Sequence, residues 1–362
     1  MINPNIFALY LPQFHQTKEN DEWWGKGFTE WNSVKSAKKL SPYSYQPRIP
    51  LNAYYDLSDI KSIRKQVELA NKYGVDGFAI YHYYSNGKVL LEKPSKLLKN
   101  NRDIDIKYFF SWANHDWRRT WYGYNMEILQ KQEYGNREQI VEHYRYLADY
   151  FLDERYYKIN NCPVFAIYKY SYISNFQDYY KIWNELAKKD GFKGMYFIQT
   201  LERYGQERDS SYFDASFDFE PGYTIQCPEF KATRFINKIK TYMVKRLKFQ
   251  FVSQVFNYEK VCKVSARHKH NDPKQYYGVF RGWDNTPRHK LMGTVYKNEN
   301  VEYFKYLLEK QYAKALEANH EMIVINAWNE WSEGAYLEPD KDRKYKLLEA
   351  ISEIKSKHNK LL

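Results

Sequence analysis

The chain has 362 residues, enough for one large core or two modest ones, and its net charge of +12 calls for an anionic partner or a solvated lysine-rich surface. No zinc-finger spacing, glycine-and-aromatic RNA-binding signature or arginine-rich arm occurs, which argues against nucleic acid as that partner. Cys162, Cys227 and Cys262 are far apart and odd in number, which argues against a disulfide framework or a cysteine metal cluster and fits a reducing compartment.

From the N-terminus, residues 1–10 lack a basic segment and a long apolar core, so neither a signal peptide nor a membrane anchor is expected, and the expected location is cytoplasmic. Residues 6–12 read as a strand that ends in Gln13, Phe14 and His15. A long connection over about 13–57 follows, and a loop of that length in a compact domain is usually functional. Residues 58–73 carry Ile60, Ile63, Val67 and Ala70 at helical spacing, with Ser58 as the expected cap and Gly74 as the stop. Strands are expected at 75–84 and 106–114, each an apolar run that ends in aromatic and polar residues. A second amphipathic helix spans 137–151, with Ile140, Tyr144 and Leu147 on one side.

Further along, 162–170 reads as a strand, 176–189 as a helix, 195–201 and 212–219 as shorter strands, and 275–283 as a seventh strand. Residues 301–318 form a helix that leads into an eighth strand at 322–325, and a last helix runs over about 345–356. Between them, about 229–260 is a basic helical insertion: Lys231, Arg234, Lys238, Lys240, Lys245, Arg246 and Lys248 interleave with Phe235, Ile239, Tyr242, Met243 and Leu247. Such a helix can lie in an anionic membrane interface or serve as a solvated outer helix. Eight strands separated by helices imply right-handed crossovers and a parallel sheet, and therefore an α/β protein built as a single (β/α)8 TIM-like barrel with long βα-loop insertions over 1–362. A doubly wound open sheet would usually carry a glycine-rich phosphate turn, and no such turn is present.

The eighth strand leads into the densest chemistry of the chain. Trp328, Asn329, Glu330, Trp331, Ser332 and Glu333 lie just past its C-terminal end, where parallel α/β proteins hold their active sites. Two carboxylates among indoles and amides suit glycosidic-bond chemistry, which needs an acid, a base or nucleophile, and flat surfaces for sugar rings. The same purpose fits an aromatic content of 19%, with 37 Tyr and 10 Trp.

The segment Asn329-Glu-Trp-Ser-Glu-Gly-Ala-Tyr-Leu-Glu-Pro339 resembles the catalytic segment of glycoside hydrolase family 99, the endo-α-mannosidases, which are (β/α)8 barrels. Further segments resemble the WbsX-type proteins, a family 99-like group encoded with polysaccharide assembly genes. These are Leu9-Tyr-Leu-Pro-Gln-Phe-His15, Glu22-Trp-Trp-Gly-Lys-Gly-Phe-Thr-Glu-Trp31, Tyr81-His-Tyr-Tyr84, Ser111-Trp-Ala-Asn114 and Gly282-Trp-Asp-Asn-Thr-Pro-Arg288. The resemblance implies that Glu330 draws a proton from a substrate 2-hydroxyl, so that retention proceeds through a 1,2-anhydro sugar. It gives Glu333 the role of general acid/base at the leaving oxygen. Trp328 or Trp331 would raise the acid's pKa by desolvation, and Asn329 could hold a neighbouring carboxylate ionised.

Candidates for the sugar-binding rim are Tyr10, His15, Trp24, Tyr81, His82, Trp112, Asn114, Asp116, Trp283 and Asp284, together with Trp328, Asn329 and Trp331. His15, His82 and Asp116 lack metal-ligand spacing, and neither metal nor cofactor is expected. The reading is a retaining, glycosidase-like enzyme for a bacterial surface polysaccharide or its lipid-linked intermediate. The alternatives are a glycosyltransferase of O-antigen, capsule or exopolysaccharide assembly, and a non-catalytic glycan-binding protein. The expected partner is an oligosaccharide or polysaccharide, with peripheral contact to an anionic membrane through about 230–255 at its inner face.

Overall fold

A computed structural model describes residues 3–118 and 127–359. Its centre is a parallel barrel of eight strands: β1 (Asn5–Tyr10), β2 (Gly77–Ser85), β3 (Lys107–Trp112), β4 (Cys162–Ile167), β5 (Tyr196–Leu201), β6 (Ala215–Asp218), β7 and β8 (Met322–Asn326). β7 comes in two pieces, Gln275–Tyr276 and Gly278–Phe280, and this break closes the ring. The first piece pairs with β6 (Ser216 with Gln275) and the second with β8 (Gly278 with Val324). The other neighbours follow sequence order, and β1 joins both ends of the chain by pairing Ile6 with Ile323 and Leu9 with Ala79.

These segments become strands because their apolar residues run without interruption, as a strand buried on both faces requires. β8 is buried at every position. One face of each strand fills the barrel and the other meets the helices. Gly77 is required where β2 passes β1 and β3, since a Cβ there would meet Phe7 Cε1 at 2.3 Å and the Lys107 carbonyl at 2.6 Å.

The helices wrap the barrel on their apolar faces. In chain order they are α1 (Lys18–Trp24), α2 (Glu30–Lys35), α3 (Ile60–Tyr73), α4 (Lys93–Asn100), α5 (Arg137–Phe151), α6 (Phe176–Lys189), α7 (Lys231–Leu247), α8 (Tyr258–Ser265), α9 (Thr286–His289), α10 (Val301–Glu317) and α11 (Lys346–Asn359). α5 begins in a capping box. The Asn136 side chain accepts from Gln139 N at 3.1 Å and the Gln139 side chain accepts from Asn136 N at 2.7 Å, so two orphan donors are satisfied at once. In α3 the cap is Asp59 rather than the expected Ser58; its carboxylate accepts from Lys61 N at 3.0 Å. Gly74 ends the helix at φ 83°, a conformation that costs glycine nothing.

The long connection after β1 is not structureless, because α1 and α2 fold inside it. α2 is fastened by Trp31, whose indole donates to the Tyr55 carbonyl at 2.7 Å and packs against Trp331. The basic insertion also has a supporting element of its own, a two-stranded parallel ribbon in which Gln254–Asn257 pairs with Thr294–Lys297. Among the described residues no helix is long and apolar enough to cross a membrane.

Candidate active site

An open cleft of about 990 Å³ lies across the C-terminal mouth of the barrel. Every strand contributes to it at or just past its C-terminal end: Leu11 and Gln13, Tyr81 and Tyr83, Ala113 with 115–118, Tyr168 and Lys169, Glu202 and Arg203, Phe219 with Pro221 and Ile225, Trp283 with Arg288, and finally Glu330 and Glu333. Its floor is the turn after β8, which the chain enters through a cis Asn326–Ala327 peptide.

Arg288 stands at the centre of that floor and bridges three carboxylates from separate parts of the chain. Its Nη1 donates to Glu333 at 2.6 Å and its Nη2 to Glu330 at 3.3 Å. Its Nε and Nη2 both donate to Glu30 Oε1, at 3.0 and 2.5 Å. Burial raises the pKa of Glu330 to about 8; Arg288 opposes that shift, while Glu333 and Glu30 add to it. Burial also raises Glu333, with Arg288 opposing and Glu30 adding. Glu333 holds the shorter contact with the guanidinium and is more open to solvent, at 20% against 8% for Glu330. A proton shared between the two therefore rests preferentially on Glu330, and Glu333 keeps the charge.

The aromatic wall comes largely from β2, where Tyr81 and Tyr83 are two residues apart and so face the same way. Burial pushes both phenols up, and the negative field of Glu330 adds to it. Trp117 stacks on Tyr83 with ring centroids 5.0 Å apart, and Tyr168 and Trp283 extend the lining. Asp116 lies at the rim, where the Gln132 backbone N–H and then Arg118 hold its carboxylate below the usual range.

The turn that carries the floor is locked from behind. Gly334 sits at φ 67°, and a Cβ there would meet Arg48 Nη2 at 2.7 Å and Asp284 N at 2.9 Å. Asp284 N donates to the Glu333 carbonyl at 2.7 Å, which fixes the backbone of the carboxylate itself. Tyr336 stacks on Trp331 at 3.8 Å, and the Arg281 guanidinium lies 4.1 Å from the Tyr336 ring.

Of the residues expected at the rim, Tyr81, Asp116 and Trp283 line the cleft, as do Glu330 and Glu333, expected as the catalytic pair; the other rim candidates do not. Tyr10 points outward to α3 and donates to Gln66 at 2.8 Å. His82 and Trp112 also face the helix layer. The first meets His143 of α5 at 2.9 Å, and the second donates to the Tyr84 carbonyl at 3.0 Å. Asn114 is fully buried, tying Lys169 N and the Lys169 carbonyl. Asn329 does not reach the carboxylates: its amide clamps both the N–H and the carbonyl of Leu11, at 2.7 and 3.0 Å. Asp284 caps Thr286 and accepts from Gln46.

Trp328 is buried against Phe78, and Trp331 donates to Glu338 at 2.6 Å, so both indoles support the turn from the side away from the cleft. His15 is buried beneath the connection after β1, which lowers its pKa to about 4. Trp24 packs against Phe28. His15, His82 and Asp116 are not assembled into one cluster, and among the described residues no group of three or more His, Cys, Asp or Glu could hold a metal.

The residues not foreseen include Arg288, Glu30, Tyr83, Trp117, Tyr168, Lys169, Glu202 and Arg203. Arg288 and Glu30 both stand inside the segments that carry the family resemblance, and Tyr83 follows from the alternation of side chains along β2.

The structure of an endo-α-mannosidase of glycoside hydrolase family 99 from Bacteroides thetaiotaomicron superposes with a TM-score of 0.60 at 14% identity, covering 99% of both chains. A glycoside hydrolase-like protein superposes with a TM-score of 0.55 at 13% identity, covering 98% of this chain and 94% of the other. At these identities the likeness establishes the barrel fold. In sequence, the WxcX protein of Xanthomonas campestris pv. campestris is 31% identical over 352 residues, which is 95% of this chain and 48% of WxcX, so the chain spans about half the length of that relative. The profile of the family described as Glycosyltransferase WbsX matches residues 6–351, and the chain belongs to that carbohydrate-active family.

Proposed function

We propose that this barrel, as a single catalytic domain, acts on glycosidic bonds of a bacterial surface polysaccharide or its lipid-linked intermediate, with Glu330 and Glu333 as the reacting carboxyls. The observation that carries the proposal is the floor itself. Two carboxyls with raised pKa values share one guanidinium at the bottom of an aromatic-walled cleft, so near neutral pH one can hold a proton while the other is charged.

In the reaction, the protonated carboxyl gives its proton to the glycosidic oxygen as the bond from that oxygen to the anomeric carbon breaks. The ionised carboxylate takes the proton of the sugar's 2-hydroxyl, whose oxygen closes on the anomeric carbon and forms a 1,2-anhydro ring. An incoming hydroxyl then attacks the anomeric carbon and opens this ring, losing its proton to the carboxylate that had protonated the leaving oxygen while the other carboxyl returns its proton to the 2-oxygen, which gives net retention. Water as the incoming group makes the protein a hydrolase, and a sugar hydroxyl makes it a transferase. The second outcome is the one favoured by the family description. Tyr81, Tyr83, Trp117 and Trp283 supply apolar faces for sugar rings.

The resting charges favour Glu330 as the proton donor, whereas the family resemblance gives that role to Glu333. A leaving-group series separates the two, because replacing the donor by Gln spares substrates with acidic leaving groups and replacing the base does not.

The test of function is mass-spectrometric product analysis with oligosaccharides from bacterial surface polymers, with and without nucleotide-sugar donors. Shortened glycans without donor, lost in Glu330→Gln and Glu333→Gln, are the hydrolytic outcome. Extension that needs a donor is the transferase outcome. Binding with no turnover in any arm would make the protein a glycan-binding module and end the catalytic proposal. The location that suits a lipid-linked substrate is the inner face of the membrane, with the protein held there peripherally.

A further inference from the structure

α7 is the part of the molecule whose outer face is least accounted for by the fold. Of its 17 residues only Asn237 and Val244 are buried. Asn237 is fixed to the parallel ribbon, accepting from Val255 N at 3.2 Å and donating to the Val255 carbonyl at 3.3 Å. Opposite this inner face, Phe235 is 64% exposed, Ile239 47% and Tyr242 60%. They recur at i, i+4 and i+7, which stacks them in one stripe, and exposed Ile236, Leu247 and Phe249 widen it. A soluble surface rarely gathers that many large apolar side chains on one helix.

The charges beside the stripe select what covers it. Lys231, Lys238 and Lys245 are spaced by seven residues and form a continuous seam along one flank, and Arg246 lies within the stripe. No Asp or Glu occurs between Glu229 and Glu259. A second copy of α7 would bring lysine seam against lysine seam, so self-association through this face is repelled. An anionic bilayer satisfies both halves of the face, since phosphates meet the lysines while the rings enter the acyl boundary.

We propose that the outer face of α7 docks on an anionic lipid surface. The docking also bears on the cleft. Arg234 of α7 donates to the carbonyls of Ile225 and Cys227 at 2.6 and 2.7 Å, and Ile225 lines the cleft. A docked α7 therefore holds one wall of the cleft close to the lipid surface. The docking itself is argued from α7 alone; only its use for presenting a lipid-linked glycan rests on the function proposed above.

The experiment is co-sedimentation of the full chain with phosphatidylcholine vesicles, with and without about one-third phosphatidylglycerol, at low and high salt. The wild type should bind the mixed vesicles and leave neutral ones in solution, and binding should fall at least tenfold at high salt. The triple variant Phe235→Ser, Ile239→Ser, Tyr242→Ser and the triple variant Lys231→Gln, Lys238→Gln, Lys245→Gln should each lose binding tenfold or more. Both should keep the wild-type circular dichroism and thermal midpoint, because the replaced side chains are on the outer face. Absence of wild-type binding, equal binding to neutral vesicles, undiminished binding in both variants, or a concentration-dependent dimer abolished by the serine variant would each overturn the proposal. Turnover of a short water-soluble glycan, measured without vesicles, should be the same in the α7 variants and the wild type. A protein that binds lipid and turns nothing over would keep the docking surface and reject the catalytic reading.

Discussion

Three glutamates lie within twelve residues after β8, and the two sides of that turn use them differently. On the cleft side, Glu330 and Glu333 share the Arg288 guanidinium. On the packing side, Glu338 accepts from the neutral donors Tyr55 Oη at 2.7 Å, Gln66 Nε2 at 2.8 Å and Trp331 Nε1 at 2.6 Å. Burial raises all three pKa values, Glu338 to about 7. A raised pKa therefore does not mark a reacting group by itself. What separates the two sides is access and the kind of partner: a charge that can be shared and displaced in an open cleft, against a closed network whose donors hold a turn in shape.

The sharpest break of this comparison is chemical. Glu330→Gln and Glu333→Gln should each lower turnover by about 10²- to 10⁴-fold with little change in the thermal midpoint, whereas Glu338→Gln should leave turnover within a few-fold. The packing side answers in stability. Trp331→Ala removes a fully enclosed indole together with its stack on Tyr336 and should cost about 3–5 kcal/mol, read from denaturant unfolding.

Next comes the pH dependence of Glu338. Its folded pKa lies above the unfolded value, so its contribution to stability is complete below about pH 4.5 and is lost as pH rises through about 7. The full span is about 3 kcal/mol. Wild-type stability measured from pH 4 to 8 should fall more than that of Glu338→Gln by roughly this amount; parallel curves would remove the network account. The smallest effect concerns Arg288, which lowers the pKa of both cleft carboxyls. Arg288→Met should move the limb of the pH–rate profile that needs an ionised carboxylate to higher pH. The variant should also lose more stability at pH 8 than at pH 5.

The strands and the long helices were legible in the sequence because burial on both faces leaves an unbroken apolar run, and because surface helices repeat at 3.6 residues. All eight expected strands are in the barrel, within a few residues at their ends. α4 and α8 escaped notice because each is only eight residues, too short to show a period against a lysine-rich background. In the site, the error was one of face. A strand end that reads Tyr81-His-Tyr-Tyr84 sends Tyr81 and Tyr83 one way and His82 and Tyr84 the other, so taking Tyr81 and His82 together joined residues on opposite sides of the sheet.

Tyr10 and Trp112 are on the helix side for the same reason. Arg288 was beyond reach of this kind of reading, since nothing in Thr286-Pro-Arg288 reveals that its side chain spans loops 258 positions apart to meet Glu30. That juxtaposition exists only once the barrel has closed.

Closure through β1 and β8 has one more consequence. It brings the two ends of the chain to one place: Asn3 donates to Asn359 at 3.0 Å, at the start of β1 and the end of α11, on the face of the barrel opposite the cleft. Extra sequence joined at either end would leave from the same spot and extend away from the mouth. A relative twice as long can thus add a second module at its head or its tail and keep the same entrance open. Cutting the chain in a loop on that far side and linking the old ends by a few residues would give a circular permutant with an unaltered cleft.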